Sequence, residues 1–213
     1  MIRDIVKLYG EQSLFVRLFV NMRGILSPLE EIERLVPKQG NILDVGCGHG
    51  LFTNYMAYQS SGRRIVAVDR SLPKILVAKS TEKFVPNARY FYGDINIISA
   101  AAKYDVITII DVLYLIPAPQ QEIIFRKCFQ LLKDDGMLII KTQDTKPFIK
   151  YMWTQIEENI MTAFGLTHGD GLHYLPVEII SGMLHKAHYT IDKFVLPSKI
   201  FYSNIALVCK KAE

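Results

Sequence analysis

Three glycines at alternate positions, Gly46, Gly48 and Gly50, close the run ILDVGCGHG at residues 42–50. A strand that passes into a helix through such a run presents bare backbone, so a ligand can lie directly against it. The first amides of the helix that opens there are unpaired and favour a carboxylate or phosphate. A tight structural bend has the same composition, so the glycines alone leave both readings open. Their neighbours favour the ligand. Asp69 closes RIVAVD about 20 residues downstream, where nucleotide-binding folds place a carboxylate that accepts from ribose hydroxyls. A nicotinamide-binding turn has the pattern GxGxxG, and Leu51 stands where its third glycine belongs. The pattern therefore suits an adenosine ligand better than a nicotinamide dinucleotide.

The elements that must position these residues follow from periodicity. From residue 41 onward, short β-branched runs alternate with helical patterns, the signature of a doubly wound parallel sheet covered by helices on both faces. Strands are predicted at 41–45, 64–69, 88–92, 104–110 and 136–142, and helices near 50–59, 72–82 and 119–132. The last helix is expected to stop before Asp134, Asp135 and Gly136. A helix near 176–186 then precedes two strands, 188–196 and 200–210, joined through Pro197 and Ser198 as a closing hairpin.

Two segments lie outside this alternation. In residues 1–38, Ser27-Pro28-Leu29-Glu30 reads as a capping box that starts a helix ending before Pro37. The stretch 12–26 sets Phe15, Leu18, Phe19 and Met22 on one helical face, with Arg17 and Arg23 as its charges. It suits a lid, a dimer contact or a peripheral contact with anionic lipid. In residues 143–175, Phe148, Met152, Ile156, Ile160 and Phe164 recur every four positions as an apolar helical stripe that either packs on the core or lines a pocket.

The 213 residues suit one domain, half of them apolar and 22% charged, an ordinary globular balance. Its expected parts are a helical cap at 1–38, a core at 40–142, an insertion or lid at 143–175 and a closing helix with hairpin at 176–213. No run approaches the roughly 18 apolar residues of a membrane span. MIRDIVKLYG lacks the apolar segment of a secretory signal, so a cytoplasmic location is the default expectation. Cys47, Cys128 and Cys209 are widely spaced and read as reduced thiols, and no metal is expected. The net charge of +4 is scattered rather than blocked, which disfavours nucleic acid as a partner.

These motifs, taken together over residues 40–142, resemble those of a class I S-adenosylmethionine-dependent methyltransferase of the small-molecule type. DVGCGHG resembles the family's first motif, which implies contact of Asp44, Gly46, Cys47 and Gly48 with the methionine part of S-adenosyl-L-methionine. Asp69, with Arg70 beside it, matches the ribose-binding acid. YFYGDIN matches the third motif and implies that Asp94 holds the adenine amino group with Ile95 against the ring. YDVITIIDVLYLIP matches the fourth, with Asp111 and Val112 beside the methionine portion, and LLKDDGMLIIKT resembles the fifth strand with its preceding glycine turn. The resemblance implies a Rossmann-like α/β fold: a seven-stranded, mostly parallel sheet with an antiparallel C-terminal strand. N-terminal helices and a helical insertion after the fifth strand would be added to it.

DVLY stands where nucleic-acid aminomethyltransferases carry Pro-Pro and an aromatic, so methylation of a base amino group is disfavoured. The acceptor is expected to be a small, apolar or lipid-like metabolite, with RNA or protein methylation and a non-catalytic S-adenosylmethionine-binding regulator as alternatives. Methyl transfer from a sulfonium has a good neutral leaving group, so positioning matters most and a base is optional. No catalytic residue is fixed by these patterns. Candidates for a base are Asp144, His168, His173 and Tyr174, and Gln143 and Asp144 are the polar residues nearest the expected acceptor. Oligomeric state is left open.

Overall fold

Aliphatic and β-branched runs form the seven strands of one sheet in the computed structural model, which describes residues 2–143, 173–197 and 204–212. The strands are β1 (Gly40–Val45), β2 (Arg63–Asp69), β3 (Ala88–Tyr92), β4 (Tyr104–Ile110), β5 (Leu132–Gln143), β6 (Tyr189–Val195) and β7 (Asn204–Lys211). Their order is β3-β2-β1-β4-β5-β7-β6, and β7 is antiparallel to both its neighbours. This is the Rossmann-like sheet with an antiparallel C-terminal strand that the motifs implied. The order reverses between β1 and β4, so their carboxyl ends diverge and leave a crevice at the usual ligand position of such sheets.

Helices α1 (Ile2–Lys7), α2 (Leu14–Leu26) and α3 (Leu29–Glu33) precede the sheet, and α4 (Leu51–Gln59), α5 (Leu72–Ser80), α6 (Ala118–Leu131) and α7 (Val177–Lys186) alternate with its strands. Successive strand residues point to opposite faces, so each strand feeds two cores. Ile42, Val106 and Ile139 meet side chains of α1 to α5 on one face. Leu43, Ile107 and Ile140 meet Phe125, Leu131, Ile180 and Leu184 of α6 and α7 on the other.

Beneath the N-terminal helices, the Arg63 side chain is fully buried at the start of β2. It donates to the carbonyls of Val36, Pro37 and Met56 at 2.6, 2.7 and 2.8 Å and pairs with Glu33 at 2.7 Å. Every strong acceptor in that ring is protein, so the node fastens α3 and α4 to the sheet.

The structure departs from the sequence expectations in two places. β5 begins at Leu132, immediately after α6 and ahead of the predicted start at Gly136, so the glycine turn expected to open it is part of the strand. Tyr104 opposes Leu132 while Val106 opposes Met137, so Asp134, Asp135 and Gly136 are absorbed in a strand irregularity, and burial of Leu132 draws the chain into the sheet at once. The capping box does not form. Pro28 stands at the N-cap without a side-chain bond, and the Ser27 hydroxyl instead donates to Asp111 Oδ2 at 3.3 Å.

The apolar stripe of α2 is turned outward. Phe15, Leu18 and Met22 face solvent together with Leu14 and Ile25, and the face that packs inward carries Val20 and Gly24. A Cβ on Gly24 would lie 3.3 Å from Ile2 Cγ1 and 3.6 Å from Val6 Cγ2, so the missing side chain lets α2 settle closely on α1. Of the predicted apolar face, Phe19 turns inward, its ring 5.0 Å from that of His49. Asp144, His168 and the stripe from Phe148 to Phe164 lie outside the described residues. No helix among the described residues is long and apolar enough to cross a membrane.

Candidate active site

The glycine turn emerges from β1 with its backbone in the left-handed region, Gly46 at φ 77° and Gly48 at φ 55°. The two differ in what surrounds them. A Cβ on Gly46 would come within 2.4 Å of Val112 Cγ2, a packing constraint, whereas one on Gly48 would meet nothing within 4 Å. Gly48 therefore leaves open space beside the turn, as close approach of a ligand requires. Its amide donates to Asp69 Oδ2 at 2.8 Å, and Asp69 Oδ1 accepts from the Ser71 amide at 2.8 Å. A carboxylate oxygen has two acceptor sites, so Asp69 braces the turn and retains capacity for a ligand hydroxyl. From the other side, the buried Tyr9 hydroxyl donates to the His49 carbonyl at 2.9 Å.

Beneath the turn, Asp44 is buried and accepts from Thr53 Oγ1 at 2.5 Å and Thr108 Oγ1 at 2.8 Å. Burial pushes its carboxyl up to about 6 against the pull of those two hydroxyls, with the charge of Asp69 adding to the rise. His49 is buried on the crevice wall and its Nδ1 has no hydrogen-bond partner among the described residues. Desolvation, followed by the Lys74 charge, pulls the imidazole down to about 4, so it is neutral at pH 7. Burial likewise raises the Cys47 thiol well above its ordinary value and keeps it protonated.

Asp111 closes the crevice at the end of β4. Its backbone sits at φ 58°, uncommon for a residue with a side chain, and its amide donates to the Lys141 carbonyl at 3.0 Å. The carboxylate is paired with Lys141, lies 2.8 Å from Arg23 and accepts from Ser27. Burial alone would push the Asp111 carboxyl up, but Arg23, Lys141 and Ser27 together hold it below the usual carboxylate range. Arg23 also donates to the Tyr114 hydroxyl at 3.3 Å, and the Tyr114 ring stacks on Tyr174 at 4.8 Å. The His173 amide donates to the Tyr114 carbonyl at 2.7 Å. His173 and Tyr174 thus join the same wall, and His173 Nε2 is buried without a partner among the described residues.

Of the predicted cofactor residues, Asp44, Gly46, Cys47, Gly48, Asp111 and Val112 line this single crevice. Asp69 reaches it through its bond to Gly48, with Arg70 exposed beside it. Asp94 and Ile95 follow β3, farther along the sheet. Asp94 Oδ1 accepts from the Asn96 amide at 2.8 Å, and Ile95 is buried in the core containing Leu43 and Val68. Sequence reasoning did not place Tyr9, Ser27, Thr53, Tyr114 or Lys141 at the site, and gave Arg23 as one of the charges of the 12–26 stretch. Lys141 carried a signal, a lysine inside the apolar run MLIIKT, since a fully buried lysine is rare without a partner. Ser27 and Tyr114 carried none.

A family model described as "Methyltransferase domain" matches residues 21–193. The chain belongs to the methyltransferase-domain family. S-adenosyl-L-methionine is the cofactor of that class, and the crevice fits it on the open space at Gly48 and the unpartnered His49 Nδ1 beside it. The methyltransferase domain is 35% identical over 175 residues to a ubiquinone biosynthesis O-methyltransferase of Coxiella burnetii, covering 81% of this chain and 64% of that protein. It is 27% identical over 167 residues to the enzyme of the same name from Glaesserella parasuis, covering 75% of this chain and 60% of that one. The chain therefore spans less than two thirds of the length of these curated relatives. Among solved structures, the pyocyanin biosynthetic protein PhzM superposes with a TM-score of 0.74 at 15% identity, over 96% of this chain and 61% of its own. A TehB-like SAM-dependent methyltransferase from Corynebacterium glutamicum gives 0.62 at 17% identity, over 98% of both chains. At such identities these structures speak for the fold alone.

Proposed function

We propose that this domain transfers a methyl group from S-adenosyl-L-methionine to an oxygen of a small, apolar metabolite. The observation that carries the reading is the open space at Gly48, set between Asp69 and Asp111 where the strand order reverses. In this reading the turn at Gly46, Cys47 and Gly48 and the wall of Asp44, Asp111 and Val112 hold the methionine portion. Asp69 accepts from the ribose hydroxyls with Arg70 at the rim, and Asp94 takes the adenine, with Ile95 buried in the core beside it. The bound donor supplies an electrophilic methyl on a sulfonium.

The chain's own part is to orient the acceptor and exclude water. Phe19, Val112 and Leu115 give the crevice apolar walls that suit an apolar acceptor. Oxygen as the accepting atom is supported by the relatives named O-methyltransferases. An oxygen nucleophile must lose its proton, and our candidate to receive it is His173, whose amide is bonded to the Tyr114 carbonyl and whose buried Nε2 has no partner among the described residues.

Calorimetry with S-adenosylhomocysteine tests the donor half. The unsubstituted chain should bind it, and Gly48→Ala, which fills the open space at a strain cost of about 1–2 kcal/mol, should weaken binding at least about tenfold while the domain stays folded. Absence of binding by the unsubstituted chain would sink the reading.

A further inference from the structure

β5 and β7 continue past the Asp111 ion pairs toward the carboxyl end of the sheet, the side on which ligands bind. In their antiparallel register Lys141 opposes Ala206 and Gln143 opposes Asn204. Side chains alternate along a strand, so Gln143 points to the same face as Lys141, about 6.8 Å farther on. That is the face on which Lys141 meets Asp111, whose carboxylate lines the crevice. Gln143 is 6% exposed and Asn204 2%. Each nevertheless keeps a buried polar atom, Gln143 Oε1 and Asn204 Nδ2, without a partner among the described residues.

Directly opposed residues on antiparallel strands hold their Cβ atoms about 4.5–5.5 Å apart, so the two side chains leave the sheet as neighbours. An amide oxygen only accepts and an amide nitrogen only donates. A group that satisfies both must donate to one and accept from the other. A hydroxyl does this. An ether or a carboxylate has no proton to give Gln143, and an ammonium has no lone pair for Asn204. Two buried amides left unmatched in the protein alone are costly, and such cost is tolerated where a ligand removes it.

We propose that Gln143 and Asn204 form a clamp that recognises a hydroxyl group of the methyl acceptor. The proposal rests on the reading of the domain as a small-molecule methyltransferase, and makes that domain selective for hydroxylated over capped or deoxygenated acceptors. Gln143 and Asn204 act as specificity residues, and the donor half of the site does not depend on them.

The test uses the full chain saturated with S-adenosylhomocysteine, with 4-propylphenol and 4-propylanisole as probes, and the variants Gln143→Met and Asn204→Leu. The unsubstituted chain should bind the phenol at least about tenfold more tightly than the anisole, and each variant should bring the two close to parity. Both variants should also melt about 2–4 °C higher in the absence of probes, because each exchanges an unmatched buried amide for an apolar side chain of similar size. Lower melting would show that the amides are already satisfied within the fold and would overturn the clamp. So would a phenol preference that is missing in the unsubstituted chain or that survives both substitutions. Failure of S-adenosylhomocysteine to bind is a different result. It removes the methyltransferase reading, while the direction of the melting shift and the phenol preference still decide the clamp.

Discussion

Arg63 and Asp111 are both buried charges that tie N-terminal helices to the sheet, yet they lie at opposite ends of its strands. Arg63 opens β2 and is enclosed by Glu33 and three carbonyls. Asp111 follows β4 and is held by Arg23, Lys141 and Ser27 on the wall of the crevice. The ingredients are alike: a buried ion, an opposite charge and neutral hydrogen-bond partners. At the amino ends of parallel strands such a node is sealed by the chain itself and serves the fold. At the carboxyl ends the loops diverge, and the same chemistry shapes the wall of an open crevice. The strained backbone at Asp111 belongs with that second setting, since strain persists where surrounding contacts enforce it.

The largest effect should separate the two nodes. Arg63→Met leaves the carbonyls of Val36, Pro37 and Met56 without their donor and Glu33 with Lys38 as its remaining cation, and should cost about 3–5 kcal/mol in urea unfolding, with S-adenosylhomocysteine affinity of the folded fraction unchanged. Asp111→Asn keeps a residue that tolerates the left-handed region and should cost about 1.5–3 kcal/mol while also weakening S-adenosylhomocysteine. The comparison breaks if Arg63→Met alters affinity in the folded fraction or Asp111→Asn does not.

An intermediate effect lies in pH. The His49 imidazole is held near 4 in the folded chain against 6.5 ordinarily, so the unfolded chain takes up the proton first as pH falls. Stability should drain away between about pH 6.5 and 4, by at most about 3 kcal/mol from this residue. Asp44 works in the opposite sense, since its folded carboxyl at about 6 is protonated before the unfolded one and gains relative stability over the same range. Denaturation of ligand-free His49→Phe and the unsubstituted chain from pH 7 to pH 4 should therefore show the histidine-containing chain losing ground. A constant difference across that range would remove the desolvation argument.

The smallest effect concerns Ser27. Ser27→Ala should cost about 1 kcal/mol, and the cost should shrink in an Asp111→Asn background, where the acceptor has lost its charge. Coupling of Ser27 to Glu30 in a double-mutant cycle, rather than to Asp111, would restore the capping box and detach α2 from the wall.

The strands at 88–92 and 104–110 were legible to the residue because they are short β-branched or aromatic runs bounded by turns. The glycine motif was legible too, since its three glycines and Asp69 are near in sequence. Ser27 shows where local reading stops. Its tetrapeptide satisfies the capping pattern, but a buried carboxylate is a stronger acceptor to approach than a solvated helix end, and the hydroxyl turned to Asp111. The apolar residues of α2 form a true stripe, but nothing in the stripe records that Gly24 would pack on α1 and direct the larger side chains outward.

The sequence by itself determined the doubly wound sheet, the glycine turn that follows β1 and the family to which the chain belongs, because strand periodicity, turn residues and motif spacing act over a few residues. Tertiary structure alone decided the company of Asp111 and the pairing of Gln143 with Asn204. Ser27 lies 84 residues from Asp111 and Lys141 lies 30 away, so only the strand order and the seating of α2 bring them together. Contacts between distant segments are set by which surfaces bury against each other, and that choice is made by the whole core rather than by any one stretch of chain.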